Sequence, residues 1–202
     1  MNLNLFGKKA LISGASRGIG FSIARSLALE GVNLAICARD SSVLRDSANK
    51  LSSFDIKVMH QECDVCDSSQ VESFVSAAAV ELGGIDIVIN NVGGSAGGTL
   101  KNSTDSDWET TFDLNVFHAV RLTRAALPHL RSKGGGAVVI ISSISGTKSA
   151  PRAQYGCAKA AENFLAGALA LELAESNVRV NAVAPGSIFF PGGGWQRLET
   201  DE

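Results

Sequence analysis

The sequence predicts an α/β fold built on a doubly wound parallel sheet, and three observations predict it. Six short apolar or β-branched runs alternate with five stretches of helical length, the pattern of strands joined by right-handed crossover helices. A glycine-rich turn, Ser13-Gly14-Ala15-Ser16-Arg17-Gly18-Ile19-Gly20, separates the first apolar run from the first amphipathic stretch. Polar residues gather at the carboxyl ends of the runs, the rim where such sheets bind ligands.

The expected strands are 10–13, 32–37, 56–61, 85–90, 137–142 and 178–183, and the expected helices are 19–30, 42–52, 69–82, 107–131 and 153–175. Ser13, Arg39, Asn90 and the pair Ser142-Ser143 fall at strand ends. Glycine clusters at 93–98, 134–136 and 192–194 read as loops. Along the long fourth helix, Trp108, Phe112, Val116 and Ala119 or Val120 recur at core spacing. Arg121, Arg124 and Arg131 share its broad outer face and read as solvated, with an acidic carrier protein as the alternative.

With 202 residues and 45 % hydrophobic composition, the chain suits one domain, 1–202, with one substantial core. A net charge of −2 and the lack of any long basic run argue against a nucleic-acid surface. No apolar stretch approaches the ~20 residues of a membrane span, and the N-terminus lacks the regions of a secretory signal; the expected location is the cytoplasm. The four cysteines are too few for a disulfide framework. Cys63-Asp64-Val65-Cys66, with His60 before it, lacks a second ligand pair at zinc spacing, so no metal is expected. His60, His118 and His129 have no evident catalytic partners.

The glycine turn has the parts needed to hold a pyrophosphate. Glycines permit a sharp turn and close backbone approach, and a helix N-terminus supplies N–H donors and a positive dipole end. A second cluster lies downstream: Tyr155, the only tyrosine in the chain, and Lys159 stand four apart, with Ser143 twelve positions before Tyr155. On a helix, residues four apart share a face. A free phenol has a pKa of about 10. A lysine charge about 4 Å away contributes about 4 kcal/mol at an effective dielectric of ~20. That is up to about 3 pKa units before screening, enough to bring the phenol towards general-acid duty.

Together, Gly14/Gly18/Gly20, Asn90-Asn91-Val92-Gly93, Asn115, Ser143, Tyr155/Lys159 and Pro185-Gly186 resemble the short-chain dehydrogenase/reductase family, of the short type, over nearly the whole length. The resemblance implies a Rossmann-like sheet with strand order 3-2-1-4-5-6. It implies that Tyr155 exchanges a proton with a carbonyl or secondary alcohol substrate and that Lys159 lowers the Tyr155 pKa and binds the nicotinamide ribose. Ser143 would hydrogen-bond the substrate oxygen and Asn115 would hold a relay water. The spacing to Gly146 favours Ser143 over Ser142 and Ser145 for the serine role. The implied nucleotide contacts are Gly14, Ser16, Arg17, Gly18, Ile19, Gly20, Arg39, Asp64, Val65, Asn91, Gly93, Tyr155, Lys159, Pro185, Gly186 and Ile188, with Asp64 near the adenine amino group. Cofactor choice follows from charge: an acidic residue ending the second strand would favour NAD, whereas Arg39 there, with Arg17 in the glycine turn, suits the 2′-phosphate of NADP(H). Asp40, next in sequence, opposes that preference.

The family pattern continues past this chain's last residue, Glu202, through a substrate loop and a seventh strand, so both are expected to be missing, leaving 178–183 as an open sheet edge. The family's threonine five residues after Pro185 is Phe190 here. The expected function is an NADP(H)-dependent carbonyl reductase or alcohol dehydrogenase. The alternative is a truncated, cofactor-binding but catalytically poor assembly module. Small residues along the helix after Tyr155 fit close pairing of two copies, as a homodimer or homotetramer.

Overall fold

The computed structural model describes residues 3–190. The loop expected at 192–194 and the tail to Glu202 lie outside the described residues. Six parallel strands, β1 (Lys9–Ser13), β2 (Asn33–Ala38), β3 (Val58–Glu62), β4 (Ile87–Asn90), β5 (Gly136–Ile141) and β6 (Val178–Val183), form one sheet in the order β3-β2-β1-β4-β5-β6. The crossovers carry α1 (Gly18–Leu29), α2 (Ser41–Leu51), α3 (Ser68–Leu82), α4 (Asp105–Phe112), α5 (His118–Ser132) and α6 (Ala153–Glu172). The order reverses between β1 and β4, which makes the crevice above those two strands the natural ligand position.

Alternation along each strand divides the core between the two faces of the sheet. Leu11, Cys37 and Val88 pack towards α3, α5 and α6 with Phe74, Leu122 and Ala166. Ala10, Ile12, Leu34 and Ile36 pack towards α1 and α2 with Ala24, Leu44 and Leu51. Each large side chain removed from water here contributes about 1.5–3 kcal/mol. The strand expected at 56–61 begins two residues later, because Ile56 closes a turn onto the Phe54 carbonyl, and both side chains pack beside α2.

Aspartates set the starts of two helices: Asp40 accepts from the backbone N–H of Ser42 and Val43, and Asp67 does the same for Ser69 and Gln70. Thr104 and Asp107 form a reciprocal capping box at α4. The expected single helix over 107–131 is interrupted, since Asp113–Phe117 forms a wide π-turn between α4 and α5. The extra residue in that turn rotates everything before it relative to α5. The buried positions are therefore Thr111, Asn115, His118, Ala119 and Leu122. Trp108, Phe112 and Val116, expected in the core, are only half-buried, and Trp108 and Phe112 line a surface groove with Phe117. Among the described residues, no helix is long and apolar enough to cross a membrane, and β6 pairs only with β5.

Candidate active site

The glycine turn closes over the carboxyl end of β1. The N–H groups of Gly14 and Ala15 both donate to the Cys37 carbonyl on β2, at 2.8 and 3.2 Å. Ser13 and Asn91 lock the turn to the loop after β4. The Asn91 backbone N–H donates to Ser13 Oγ (3.0 Å), and Asn91 Nδ2 donates to the carbonyls of Ser13 and Gly14 (both 3.1 Å). This brace explains the glycine at 20: a Cβ there would sit 2.3 Å from the Gly14 carbonyl oxygen and 2.5 Å from Asn91 Nδ2. Gly14 takes a left-handed φ of +66°, and a Cβ on it would meet Val92 at 2.9 Å.

The result is a cleft of about 380 Å³ whose walls include Gly14, Ser16, Arg17, Gly18, Ile19, Arg39, Val65, Asn91 and Gly93. Its walls also include Ala38, Val43, Cys63, Val92, Leu114 and Phe190, none singled out in the sequence as a nucleotide contact. Val92 lies within the quoted Asn90–Gly93 segment and Cys63 follows the end of β3, whereas Val43 in α2 and Leu114 in the π-turn reach the cleft only through the fold. Cys63 adjoins the buried Cys37 thiol, and their interaction holds the Cys63 thiol below its ordinary pKa and, with burial, raises that of Cys37. At the far end of β2, Arg39 and Asp40 are both exposed at the cleft. The Asp40 carboxylate is committed to the N-terminus of α2; the Val43 and Ser42 hydrogen bonds, with the Arg17 charge, hold it below the usual carboxylate range.

Not every expected contact reaches the cleft. Asp64 accepts from the Cys66 N–H (3.0 Å) through Oδ1 and is absent from the cleft wall. Pro185 offers its carbonyl to the Ile144 N–H (2.9 Å), which ties the loop after β6 to the loop after β5, and Gly186 stands in open space beside it. Ile188 lines a neighbouring groove shared with Gly18, Ile19 and Phe190. The Phe190 ring lies so close to Gly18 that a Cβ there would fall 2.7 Å from it.

The second cluster adjoins this cleft at Gly93, and a Cβ on Gly93 would lie 2.9 Å from both Asn115 Oδ1 and Lys159 Nζ. Asn115 is fully buried and its amide is used internally. Oδ1 accepts from the Gly94 N–H (3.2 Å), and Nδ2 donates to the carbonyls of Gly94 and Thr111 (both 2.6 Å). The side chain thus clamps the loop after β4 to the π-turn. Ser142 and Ser143 diverge as strand alternation requires. Ser142 is buried and donates to the Lys159 carbonyl (2.9 Å), while Ser143 interacts with the Tyr155 phenol. Gly146 is where the loop after β5 meets α6, and a Cβ there would be 2.7 Å from the Lys159 carbonyl oxygen.

Lys159 is buried and held from several sides. Its ammonium lies 5.8 Å from the Tyr155 ring centroid and points into the core. It donates to the Ile141 carbonyl (3.0 Å) and to Glu162 Oε1 (3.1 Å), and it stands 2.9 Å from Glu162 Oε2. Glu162 is completely buried, and the Lys159 side chain is only 3 % exposed. Burial outweighs pairing for both partners, with the Lys159 pKa held down and that of Glu162 held up. The Tyr155 pKa is raised, first by burial and also by Glu162, against the lowering effect of Ser143. Beside the phenol, the Lys159 ammonium is ion-paired with Glu162. Neither Glu162 nor the fully buried His118, whose pKa burial pushes down to about 3, was marked as functional in the sequence. The available signal was a glutamate three residues after Lys159 on an otherwise apolar helix face.

A doubly wound sheet with a glycine cradle at its switch point, joined to a Tyr/Lys/Ser cluster, defines a nucleotide-binding oxidoreductase of the Rossmann class. Residues 8–191 match the short chain dehydrogenase family. Human dehydrogenase/reductase SDR family member 4 is 35 % identical over 186 residues, covering 91 % of this chain and 67 % of that protein. A tropinone reductase homolog of Arabidopsis thaliana is 34 % identical over 190 residues, covering 93 % of this chain and 70 % of the other. Among solved structures, L-sorbose reductase from Gluconobacter frateurii, in complex with NADPH and L-sorbose, superposes with a TM-score of 0.90 at 32 % identity, covering 98 % of this chain and 81 % of that one. A 7α-hydroxysteroid dehydrogenase in complex with NADH and 7-oxo glycochenodeoxycholic acid also gives 0.90, at 29 % identity, covering 93 % and 74 %. The chain belongs to the short-chain dehydrogenase/reductase family.

Proposed function

We propose that this protein is an NADP(H)-dependent oxidoreductase that interconverts a small-molecule carbonyl and a secondary alcohol, with Tyr155 as the general acid/base. The observation that carries the reading is the continuity of the two clusters: Gly93 walls the nucleotide cleft and covers Lys159 and Asn115. A nicotinamide nucleotide fits the chain, because the turn at Gly14, Gly18 and Gly20 leaves no room for side chains and no side chain caps the N-terminus of α1. When bound, the nucleotide supplies or accepts the hydride at the substrate carbon.

The protein's own residues handle the proton. In reduction, the Tyr155 hydroxyl gives its proton to the substrate oxygen as the carbonyl π pair moves onto that oxygen. The resulting tyrosinate is reprotonated from solvent before the next turnover, and oxidation runs the same transfers backwards. Ser143, beside the phenol, orients the substrate oxygen. Preference for NADP(H) rests on Arg17 and Arg39 at one end of the cleft and on the diversion of Asp40 into capping α2. Forked guanidinium groups bind a 2′-phosphate that a free carboxylate would repel. A second copy of the chain covers α6, where Phe164 and Leu171 are 80 % and 83 % exposed on either side of the open Gly167.

A fluorescence titration with NADPH and NADH, followed by a panel of carbonyl substrates, tests the reading. Micromolar NADPH binding, weaker NADH binding and turnover of a carbonyl are expected. The second reading, a cofactor-binding module with poor catalysis, draws support from the Phe190 ring against Gly18. NADPH binding without turnover across the panel would favour it.

A further inference from the structure

Phe190, in the loop after β6, reaches back over the start of α1. Its ring is half-buried, and a Cβ on Gly18 would fall 2.7, 2.9 and 3.0 Å from three carbons at the tip of that ring. Gly18 is the first residue of α1, and no side chain caps this helix. The N–H groups of a first turn have no partner within their own helix, and that end of a glycine turn is where a diphosphate docks. The phenyl ring covers those donors and offers them no acceptor comparable to a phosphate oxygen. Ring and diphosphate therefore cannot hold Gly18 at the same time.

A second resting place adjoins the first. Phe190 also borders a groove of about 390 Å³ along α1, whose walls include Ile19, Ile23, Leu27, Ile188 and Phe189. Ile188 and Phe189 are exposed, so the groove is apolar and open on one side, and a ring turned into it stays out of water. The loop is tied at its root, where the Ile144 N–H donates to the Pro185 carbonyl at 2.9 Å, and Gly186 just beyond has open space around it. We propose that Phe190 is a resident competitor for the diphosphate seat: its ring rests on Gly18, and a nicotinamide nucleotide binds only after the ring has swung into the groove along α1. The inference rests on reading this cleft as a nicotinamide nucleotide site. Apparent affinity is then the intrinsic affinity scaled by the fraction of molecules whose ring is away. Half-burial of an aromatic ring puts that fraction at about one in five to one in ten. The competition concerns the diphosphate, so it acts on NADPH and NADH alike and is separate from the choice made by Arg17 and Arg39.

Calorimetric titration of the wild type, Phe190→Ala and Phe190→Leu, with stopped-flow binding in parallel, tests the proposal. Phe190→Ala is expected to bind NADPH and NADH about 5- to 10-fold more tightly, with Phe190→Leu in between. The gain should lie in faster association, with dissociation nearly unchanged. Binding of 2′-AMP, which carries the adenosine and the 2′-phosphate but no diphosphate, should be the same in all three proteins. Unchanged or weaker dinucleotide binding in Phe190→Ala overturns the proposal, and the same result in Phe190→Leu does so if the alanine variant fails to fold. So does an equal gain for 2′-AMP, or a gain carried entirely by slower dissociation. Failure of the nucleotide-site reading would instead appear as no binding of NADPH or NADH to any of the three proteins, which differs from dinucleotide binding that ignores position 190.

Discussion

Replacing Lys159 by Met removes one half of a buried ion pair and strands the other half. Glu162 is fully buried, the lysine side chain is 3 % exposed, and the two meet at 2.9 Å. At an effective dielectric of 20 the gross attraction is about 6 kcal/mol, much of it offset by desolvation. Breaking such a pair from one side destabilises by about 3–5 kcal/mol. At about 2–4 °C per kcal/mol for a chain of this size, the melting temperature should fall by about 6–20 °C. The defect also depends on pH with a definite sign. The Glu162 pKa is already raised by burial, with Lys159 opposing that rise, so losing the cation raises it further. A folded-state carboxyl that holds its proton more tightly than the unfolded chain loses stability as pH rises from about 4.3 towards its folded value. Urea unfolding should therefore show a small defect at pH 5 and the full defect at pH 8. Adding Glu162→Leu should restore most of the stability, since two apolar side chains fill the space without a buried charge. An equal defect at both pH values, or a double variant no more stable than Lys159→Met, would refute the argument.

Tyr155→Phe should abolish turnover while leaving NADPH affinity within a few fold, and its absorbance titration should show no tyrosinate transition; retained turnover removes Tyr155 from the acid role. Arg39→Asp should shift the NADPH/NADH preference towards NADH in parallel fluorescence titrations, and an unchanged ratio would count against the charge argument. Gly20→Ala pushes a methyl into the Gly14 carbonyl and Asn91; about 1–3 kcal/mol of overpacking is expected, read by urea unfolding, together with weakened nucleotide binding. Asp40→Ala removes the α2 cap and should lower stability by about 1 kcal/mol, without moving cofactor preference towards NADH.

The fold was legible because its signals are local and repeated. Apolar runs at strand length, amphipathic stretches between them and the Gly14–Gly20 turn each constrain the backbone where they occur. What escaped was a matter of phase and depth. The π-turn at Asp113–Phe117 adds one residue to a continuous helix, so the period through Trp108 and Phe112 no longer matches the buried face of α5. No composition rule marks such an insertion. At the site, motif spacing brought Tyr155, Lys159 and Ser143 to one place but did not fix the direction of the ammonium. That direction depends on Glu162, on the Ile141 carbonyl and on how deeply α6 is buried, and all three are properties of the assembled core. Asp64 illustrates the converse: it stands next to cleft residues in sequence but turns back to its own loop.

The brace between Asn91 and the glycine turn joins residues 77 and 78 positions apart. Chain closure over that distance is slow, and contacts of long sequence separation form only after the intervening chain is available. During synthesis the glycine turn leaves the ribosome well before its partner on the β4 side exists. The emerging first half, with β1, β2 and β3, presents a half-built nucleotide cradle and a bare β1 edge where β4 will later pair. Slowing translation between residues 14 and 91 would lengthen the interval in which that β1 edge stays unpaired.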